Sequence, residues 1–192
     1  MICGSLRKGS YNAALARALP GLAPAGLSLR PAPSFEKIPL YNFDIQNSTG
    51  FPAEVNAWAD AIRSADALII VSPEYNWSIP GALKNAIDWA SRPFPDNVLR
   101  GKPVAVMGAS TGLFGAVWAQ AELRKVLRHT GADVLDAELP VGLADQGFTP
   151  HGELADPELR LRLADLLEAL GNVREADERV QHRDGTPALR AV

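Results

Sequence analysis

Two short, wholly apolar segments constrain the fold of this chain more than any other feature. They are ALIIV at 67–71 and PVAVM at 103–107, and each is followed by a loop with polar or glycine residues and then by a helical pattern. A strand that is apolar at every position is typical of a parallel sheet, because helices cover both faces of such a sheet. The alternation predicts an α/β protein with an open, mostly parallel sheet wrapped by helices.

Other segments extend this alternation. Helices are predicted where apolar residues recur three or four positions apart, between residues that start or stop a helix. We expect strands at 27–31 and 132–139, a long connection at 33–49, and helices at 11–19, 52–64, 79–91, 117–129 and 157–170. We assign residues 1–171 to one domain and residues 172–192 to a polar C-terminal tail.

The composition excludes several classes of function. The chain has 192 residues, 47% of them hydrophobic, and a net charge of −3, so it lacks the basic surface of a nucleic-acid-binding protein. Three histidines and one cysteine form no cluster with metal-ligand spacing. The apolar runs are too short to cross a bilayer, no signal peptide is visible, and a single cysteine suits a reducing compartment. We therefore expect a cytoplasmic protein without a metal or membrane insertion.

The loop GSLRKGSYN at 4–12 leads into the first predicted helix. Its glycines free the backbone, its serines and Asn12 offer hydrogen-bonding groups, and Arg7 adds a guanidinium. Amides at a helix N-terminus beside such groups form a binding site for a phosphate. The alternative is purely structural, with Ser10 as the helix cap and with Arg7 and Lys8 solvated.

Familiar phosphate-binding motifs do not match this loop. Ser10 and Tyr11 stand where a nucleotide P-loop needs Lys and then Ser or Thr, and no G-x-G-x-x-G follows a strand. Cys3 and Arg7 are too close in sequence for the active site of a cysteine phosphatase. We therefore predict that the loop binds a terminal phosphate without magnesium and without attacking it.

The loop SPEYNWSIP at 72–80 has a proline near each end, which restricts its backbone. Such a loop can present its N–H and C=O groups to the edge of a planar heterocycle, with Tyr75 and Trp77 as apolar walls. In the alternative interpretation, these two aromatic residues are core anchors, and Glu74 and Asn76 are local caps.

The glycine-rich loop at 108–115 adds small residues and free amides around Ser110, Thr111 and Gly112. These amides could contact a ring edge that gains negative charge on reduction. One phosphate site and two ring-binding loops predict a mononucleotide. FMN fits better than ATP or NAD, because the phosphate site has no metal arrangement and the dinucleotide fingerprint is absent.

At these residues the chain resembles a known family. GSLRKGSYN, SPEYNWSIPGALKNAIDWASR and the GASTG loop are similar to the NAD(P)H-dependent FMN reductases, and within them to bacterial chromate, quinone and azo-dye reductases. The resemblance runs from about residue 4 to residue 145. It implies a flavodoxin-like three-layer α/β/α sandwich, a five-stranded parallel sheet in the order 2-1-3-4-5, and FMN bound without a covalent link.

The resemblance also implies a set of FMN-binding residues. They are Ser5, Leu6, Arg7, Ser10 and Asn12 around the phosphate, Pro73, Glu74, Tyr75, Asn76, Trp77 and Ser78 along the ring, and Ser110, Thr111 and Gly112 near its far edge.

The chain departs from the family pattern in several places. Only three residues precede Gly4, so we expect a truncated first strand and favour a true start further upstream. The family usually has a tyrosine where Trp77 stands. Trp118 and Ala121 stand where close relatives carry an arginine and a tyrosine that join dimers into tetramers. We therefore expect a homodimer, with a tetramer as the alternative.

The implied function is an NAD(P)H-dependent FMN reductase. Electrons would pass from NADPH or NADH through FMN to small acceptors (quinones, azo compounds, chromate or free flavin) by a ping-pong mechanism. The redox chemistry belongs to the flavin, so no catalytic side chain is expected. The alternatives are an FMN-binding electron carrier and a redox-regulatory flavoprotein, neither with appreciable NAD(P)H turnover of its own.

Overall fold

The computed structural model describes residues 1–183, the last ten of them as backbone only. Its strands are β1 (Ile2–Cys3), β2 (Leu68–Val71), β3 (Pro103–Ala109), β4 (Asp133–Val134) and β5 (Pro140–Val141). Its α-helices are α1 (Tyr11–Ala18), α2 (Phe43–Ser48), α3 (Ala53–Arg63), α4 (Gly81–Ala90), α5 (Val117–His129) and α6 (Pro157–Arg183), and a 3₁₀ helix at Leu19–Leu22 follows α1.

All pairings in the sheet are parallel, and the strand order is β1-β2-β3-β4, with β5 also paired to β3. The helices cover both faces. Buried residues of α3, α4 and α5 share one apolar cluster, and those of α1 and α6 share the other. The predicted flavodoxin-like three-layer α/β/α fold is confirmed.

Strand β2 shows why the central strands are apolar throughout. Leu68 and Ile70 face the layer of α3 to α5, whereas Ile69 and Val71 face the layer of α1 and α6. Each of the four side chains is at most 3% exposed. Burying such a side chain stabilises the fold by about 1.5–3 kcal/mol, so a polar residue at any of these positions would be costly.

The sheet differs in detail from the predicted order 2-1-3-4-5. The structure has no strand at 27–31, where one was predicted. This segment does lie beside β1: the Met1 amine donates to the Arg30 carbonyl (2.6 Å), and the Ala32 N–H donates to the Met1 carbonyl (2.7 Å). Because β1 has only two residues, it offers this segment too few partners for a ladder. The fifth strand comes instead from a divided final segment.

That final segment was predicted as one strand at 132–139, and the structure divides it into β4 and β5. Polar side chains of α5 bind the residues between the two strands. Gln120 accepts from the Leu139 N–H (3.2 Å), and Arg124 donates to the Ala137 carbonyl (3.3 Å) and pairs with Glu138. These side chains take the place of strand partners where the ladder is interrupted.

The helix predictions vary in accuracy. Helix α5 occupies the predicted range, whereas α2 falls inside the predicted connection at 33–49. Helix α6 was expected to end at residue 170 and continues to Arg183, so the backbone at 172–183 is helical rather than frayed. The rest of the predicted tail, 184–192, lies outside the described residues. No helix within residues 1–183 has both the length and the apolar character that a membrane crossing needs.

Candidate active site

Three loops meet at the carboxyl ends of the central strands. They are the phosphate loop (4–10) after β1, the ring loop (72–80) after β2 and the third loop (110–116) after β3; the first two residues of the predicted loop 108–115 belong to β3. Ligands of open parallel sheets bind at this edge, so the structure places the predicted loops where the architecture can use them.

Backbone hydrogen bonds fix the starts of the loops to one another. The Gly4 N–H donates to the Val71 carbonyl (2.7 Å), and the Ser72 N–H donates to the Met107 carbonyl (2.9 Å). A Cβ at Gly4 would lie 2.9 Å from Leu83 Cδ2 and 3.3 Å from Ser72 Cα, so only glycine lets the two chains approach this closely. The first two loops therefore leave the sheet as one unit.

The phosphate loop turns into α1 at Ser10. The Ser10 hydroxyl accepts from the Asn12 N–H (3.2 Å), so the predicted cap is present. The same hydroxyl can still donate its proton to a phosphate oxygen. Gly9 has a φ of +69°, and open space lies where its Cβ would be. Arg7 is exposed, and its guanidinium carbon lies 5.9 Å from the centre of the Tyr11 ring.

Asn12 does more in the structure than the phosphate prediction implies. Its side chain is buried, donates to the Ala109 carbonyl (2.9 Å) and accepts from the Ala109 N–H (2.8 Å). The amide thus pairs with the last residue of β3 as a neighbouring strand would. Asn12 fixes the start of α1 against the third loop, and its role as a phosphate ligand stays a prediction.

The ring loop contains a tight turn at Tyr75, Asn76, Trp77 and Ser78. Tyr75 and Ser78 exchange two backbone hydrogen bonds (2.9 and 3.1 Å), while Asn76 and Trp77 have φ values of +52° and +66°. Two successive left-handed residues define a type I′ turn. Left-handed backbone in a non-glycine residue costs about 1–3 kcal/mol and clusters at functional sites.

The two aromatic residues of this turn are not core anchors. Tyr75 is 50% exposed and Trp77 is 70% exposed. The alternative interpretation of the ring loop is therefore wrong for these residues. Their exposure leaves both rings accessible to a planar ligand, and their role as its walls stays a prediction.

Glu74 connects the ring loop to α5. Its Oε2 atom accepts from the Trp118 N–H and the Ala119 N–H, each at 3.1 Å. The residue before the helix, Ala116, has a φ of +62° and offers no cap of its own. Glu74 therefore caps α5, where a negative charge also suits the helix dipole. This contact gives the carboxylate a structural role.

Trp118 completes this connection, and sequence reasoning missed its place in the site. Its ring stacks on Trp77 with 4.6 Å between ring centres, and Phe114 packs edge-on against it at 5.1 Å. The spacing gave no signal, because Phe114 lies in the left-handed turn before α5 and Trp77 is distant in sequence. The stack joins the ring loop to the start of α5, and Phe114 extends the contact to the third loop.

The third loop rests on the segment after β5. The Ser110 N–H donates to the Val141 carbonyl (3.0 Å), and the Leu143 N–H donates to the Gly112 carbonyl (3.2 Å). A Cβ at Gly142 would collide with the Leu113 carbonyl oxygen. The Ser110 hydroxyl accepts from the Gly112 N–H (3.1 Å). Thr111 is exposed, so the outer side of this loop is free to meet a ligand.

No group in the three loops is arranged for acid–base or nucleophilic chemistry. Burial raises the pKa of the Cys3 thiol, which donates to the Ser5 carbonyl (3.7 Å). A neutral thiol agrees with the exclusion of a cysteine phosphatase. Among the residues the structure describes, no group of His, Cys, Asp and Glu side chains could hold a metal.

Comparison with known proteins identifies the family. A model of the family described as NADPH-dependent FMN reductase matches residues 1–146, more than two-thirds of the chain. The chain belongs to the NADPH-dependent FMN reductase family. It is therefore an oxidoreductase with FMN as cofactor and NAD(P)H as electron donor.

Relatives of this FMN reductase carry consistent names. It is 45% identical over 172 residues to a quinone reductase of Escherichia coli, covering 88% of this chain and 91% of that protein. It is 45% identical over 170 residues to an NAD(P)H-dependent FMN reductase of Pseudomonas aeruginosa, with 88% and 90% covered. Among solved structures, FerB of Paracoccus denitrificans, a flavoenzyme NAD(P)H:(acceptor) oxidoreductase, superposes with a TM-score of 0.79 at 35% identity, covering 91% of this chain and 95% of that one.

The residues of this chain fit FMN. The phosphate loop combines a helix N-terminus, the Ser5 and Ser10 hydroxyls and the exposed Arg7, which suits a phosphate dianion. The left-handed turn of the ring loop presents exposed backbone beside Tyr75 and Trp77, which suits the polar edge and the face of a flat ring.

Proposed function

We propose that this FMN reductase passes electrons from NAD(P)H to quinones. The observation that carries the proposal is the exposed turn at Tyr75 and Trp77, beside a loop with the donors for a terminal phosphate. A quinone is flat and apolar with polar oxygens at its rim, so it can stack where these aromatic side chains are exposed. The name of the E. coli relative, a quinone reductase, favours the same function.

Each loop has a distinct task in this proposal. Ser5, Arg7 and Ser10 bind the phosphate, with Leu6 beside them. The ring loop (Pro73, Glu74, Tyr75, Asn76, Trp77 and Ser78) fixes the ring plane, and Ser110, Thr111 and Gly112 contact the far edge. When bound, FMN would supply the redox chemistry that couples oxidation of NAD(P)H to reduction of the acceptor. The protein supplies orientation and backbone dipoles that favour negative charge at the ring edge.

A single exposed ring face implies that donor and acceptor use the site in turn. Steady-state oxidation of NADPH with 1,4-benzoquinone should therefore give parallel double-reciprocal lines. Anaerobic addition of NADPH, and separately of NADH, should bleach the flavin spectrum, and the quinone should restore it. An electron carrier or a redox-regulatory flavoprotein would bind FMN but fail to oxidise either nucleotide. That result would refute the reductase proposal. Azo compounds, chromate and free flavin are further candidate acceptors in the same assay.

We further propose a cytoplasmic homodimer. Where the structure describes side chains, ten large apolar ones are strongly exposed, and six of them belong to the three loops or the segment beside them: Leu6, Tyr75, Trp77, Leu113, Phe114 and Leu143. Exposed apolar side chains concentrated in neighbouring loops are typical of an interaction surface. Light scattering should give twice the mass of the chain. A monomer or a tetramer would contradict this assignment.

A further inference from the structure

A second cavity lies behind the phosphate loop, between α1 and residues 29–35. Its volume is about 510 Å³, within the range of roughly 300–1,000 Å³ that is typical of small-molecule sites. It meets the candidate active site only through Ser5 and Leu6. Neither the phosphate loop nor the ring loop needs this space for the proposed reaction.

Small residues on one face of α1 create the cavity. Ala13, Ala16 and Arg17 lie three or four positions apart, so they share one side of the helix, and Pro20 continues that side into the 3₁₀ helix. Alanine side chains are short, so this face of α1 leaves space beside Leu29 and Phe35, which also line the cavity.

The wall of the cavity is apolar except for a few groups. Its apolar side chains include Met1, Ile2, Leu6, Leu29 and Phe35. Ser5, Ser34 and Cys3 add small polar groups, and Arg17 is its only charged side chain. Sites for small organic ligands have this composition: a mostly apolar wall with a few polar groups that fix orientation.

Arg17 is available to a ligand. Within the part of the chain whose side chains the structure describes, Arg17 makes no ion pair. Its charge acts on the cavity wall, because it partly offsets the rise that burial causes in the pKa of Cys3. An anion placed in the cavity would therefore meet an unpaired guanidinium, the side chain best suited to carboxylate, sulfonate or phosphate groups.

We propose that this cavity binds an amphipathic organic anion, with a compact aromatic or aliphatic body among the apolar side chains and one acidic group at Arg17. Apart from Ser5 and Leu6, the cavity wall shares no residue with the proposed FMN site, so the proposal does not rest on the proposed quinone reduction. Because Ser5 and Leu6 are shared with the phosphate loop, an occupied cavity would press against the residues proposed to hold FMN.

A matched pair of probes tests the ligand class on the FMN-loaded protein. Calorimetry should show one 8-anilinonaphthalene-1-sulfonate bound per chain. The uncharged analogue N-phenyl-1-naphthylamine should bind about tenfold more weakly, since a charge-assisted contact is worth about 1.5 kcal/mol or more. Cys3 is the only cysteine in the chain. The sulfonate should therefore slow its alkylation by N-ethylmaleimide, followed by intact mass, by about tenfold or more at saturation.

Three variants locate the site. Ala16→Leu should fill the cavity and weaken binding of both probes by at least about tenfold. Arg17→Gln should weaken the sulfonate about tenfold and leave the uncharged analogue unchanged. Ala57→Leu, an equal enlargement at an exposed position of α3, is the control and should bind both probes like the unchanged protein. FMN content and thermal melting report the folding of each variant.

The proposal is overturned if the sulfonate does not bind, or if its affinity is the same in Arg17→Gln as in the Ala57→Leu control. Arg17 is exposed, so this comparison holds even if Ala16→Leu fails to fold. Unprotected Cys3 in the presence of tightly bound sulfonate would also overturn it, because the probe would then lie elsewhere.

Discussion

Replacing Asn12 with alanine separates a positioning role from a direct phosphate contact. The side chain is 3% exposed, and its two hydrogen bonds to Ala109 are 2.9 and 2.8 Å long. Removing it leaves one buried N–H and one buried carbonyl without these partners. Each such loss costs about 1–3 kcal/mol, so the free energy of unfolding should fall by about 2–6 kcal/mol.

Urea denaturation of the apoprotein measures this change, and Asn56→Ala is the matched control. Asn56 also donates its amide to a backbone carbonyl, that of Phe51 at 3.0 Å, but it is exposed. Its loss should therefore cost less than about 1 kcal/mol. Equal destabilisation by the two substitutions would refute the argument from burial.

Flavin affinity gives the second readout for Asn12. If Asn12 positions the loops, the folded Asn12→Ala protein should lose affinity for FMN and for riboflavin, which lacks the phosphate, by similar factors. A loss confined to FMN would show that Asn12 is a direct phosphate ligand and would contradict the positioning role.

Three further substitutions test the other loops. Arg7→Ala should weaken FMN binding by about 10- to 100-fold, because it removes a charge-assisted hydrogen bond, and should leave riboflavin affinity and stability unchanged. Equilibrium flavin titrations measure both affinities. Unchanged FMN affinity would contradict the phosphate role. Trp77→Ala should lower kcat/KM for the quinone by up to about tenfold, because it removes the aromatic wall and the stack on Trp118, while FMN affinity changes by less than about threefold. Wild-type kinetics with every acceptor would show that Trp77 serves only in packing. Glu74→Ala should destabilise the apoprotein by about 1 kcal/mol, because it removes the α5 cap. Glu122→Ala is the control: it removes only a surface ion pair with Lys125 and should cost less than about 0.5 kcal/mol. Equal urea midpoints for these two variants would refute the capping role.

The sequence was sufficient for the architecture because the architecture depends on local patterns. The fully apolar run at β2 and the periodic face of α5 could each be recognised within their own segments. The rule that ligands bind at the carboxyl ends of parallel strands then placed the three loops together. The prediction failed for α2, a six-residue helix with no buried side chain, because it leaves almost no apolar signature.

The contacts that shape the candidate site were not predictable from sequence in this way. Asn12 binds a residue 97 positions away, and Glu74 caps a helix that begins more than 40 positions later. Such pairs have no characteristic spacing. Asn12 and Glu74 were therefore recognised as important, but their packing roles could not be separated from ligand binding until the fold was known.

The most direct test of the account is the equilibrium titration of purified apoprotein with FMN, followed by its visible spectrum and by quenching of flavin fluorescence. The account predicts one FMN per chain and binding much tighter than that of riboflavin, because the phosphate loop contributes a large part of the affinity. A natively folded protein that does not bind FMN, or binds riboflavin equally well, would contradict it.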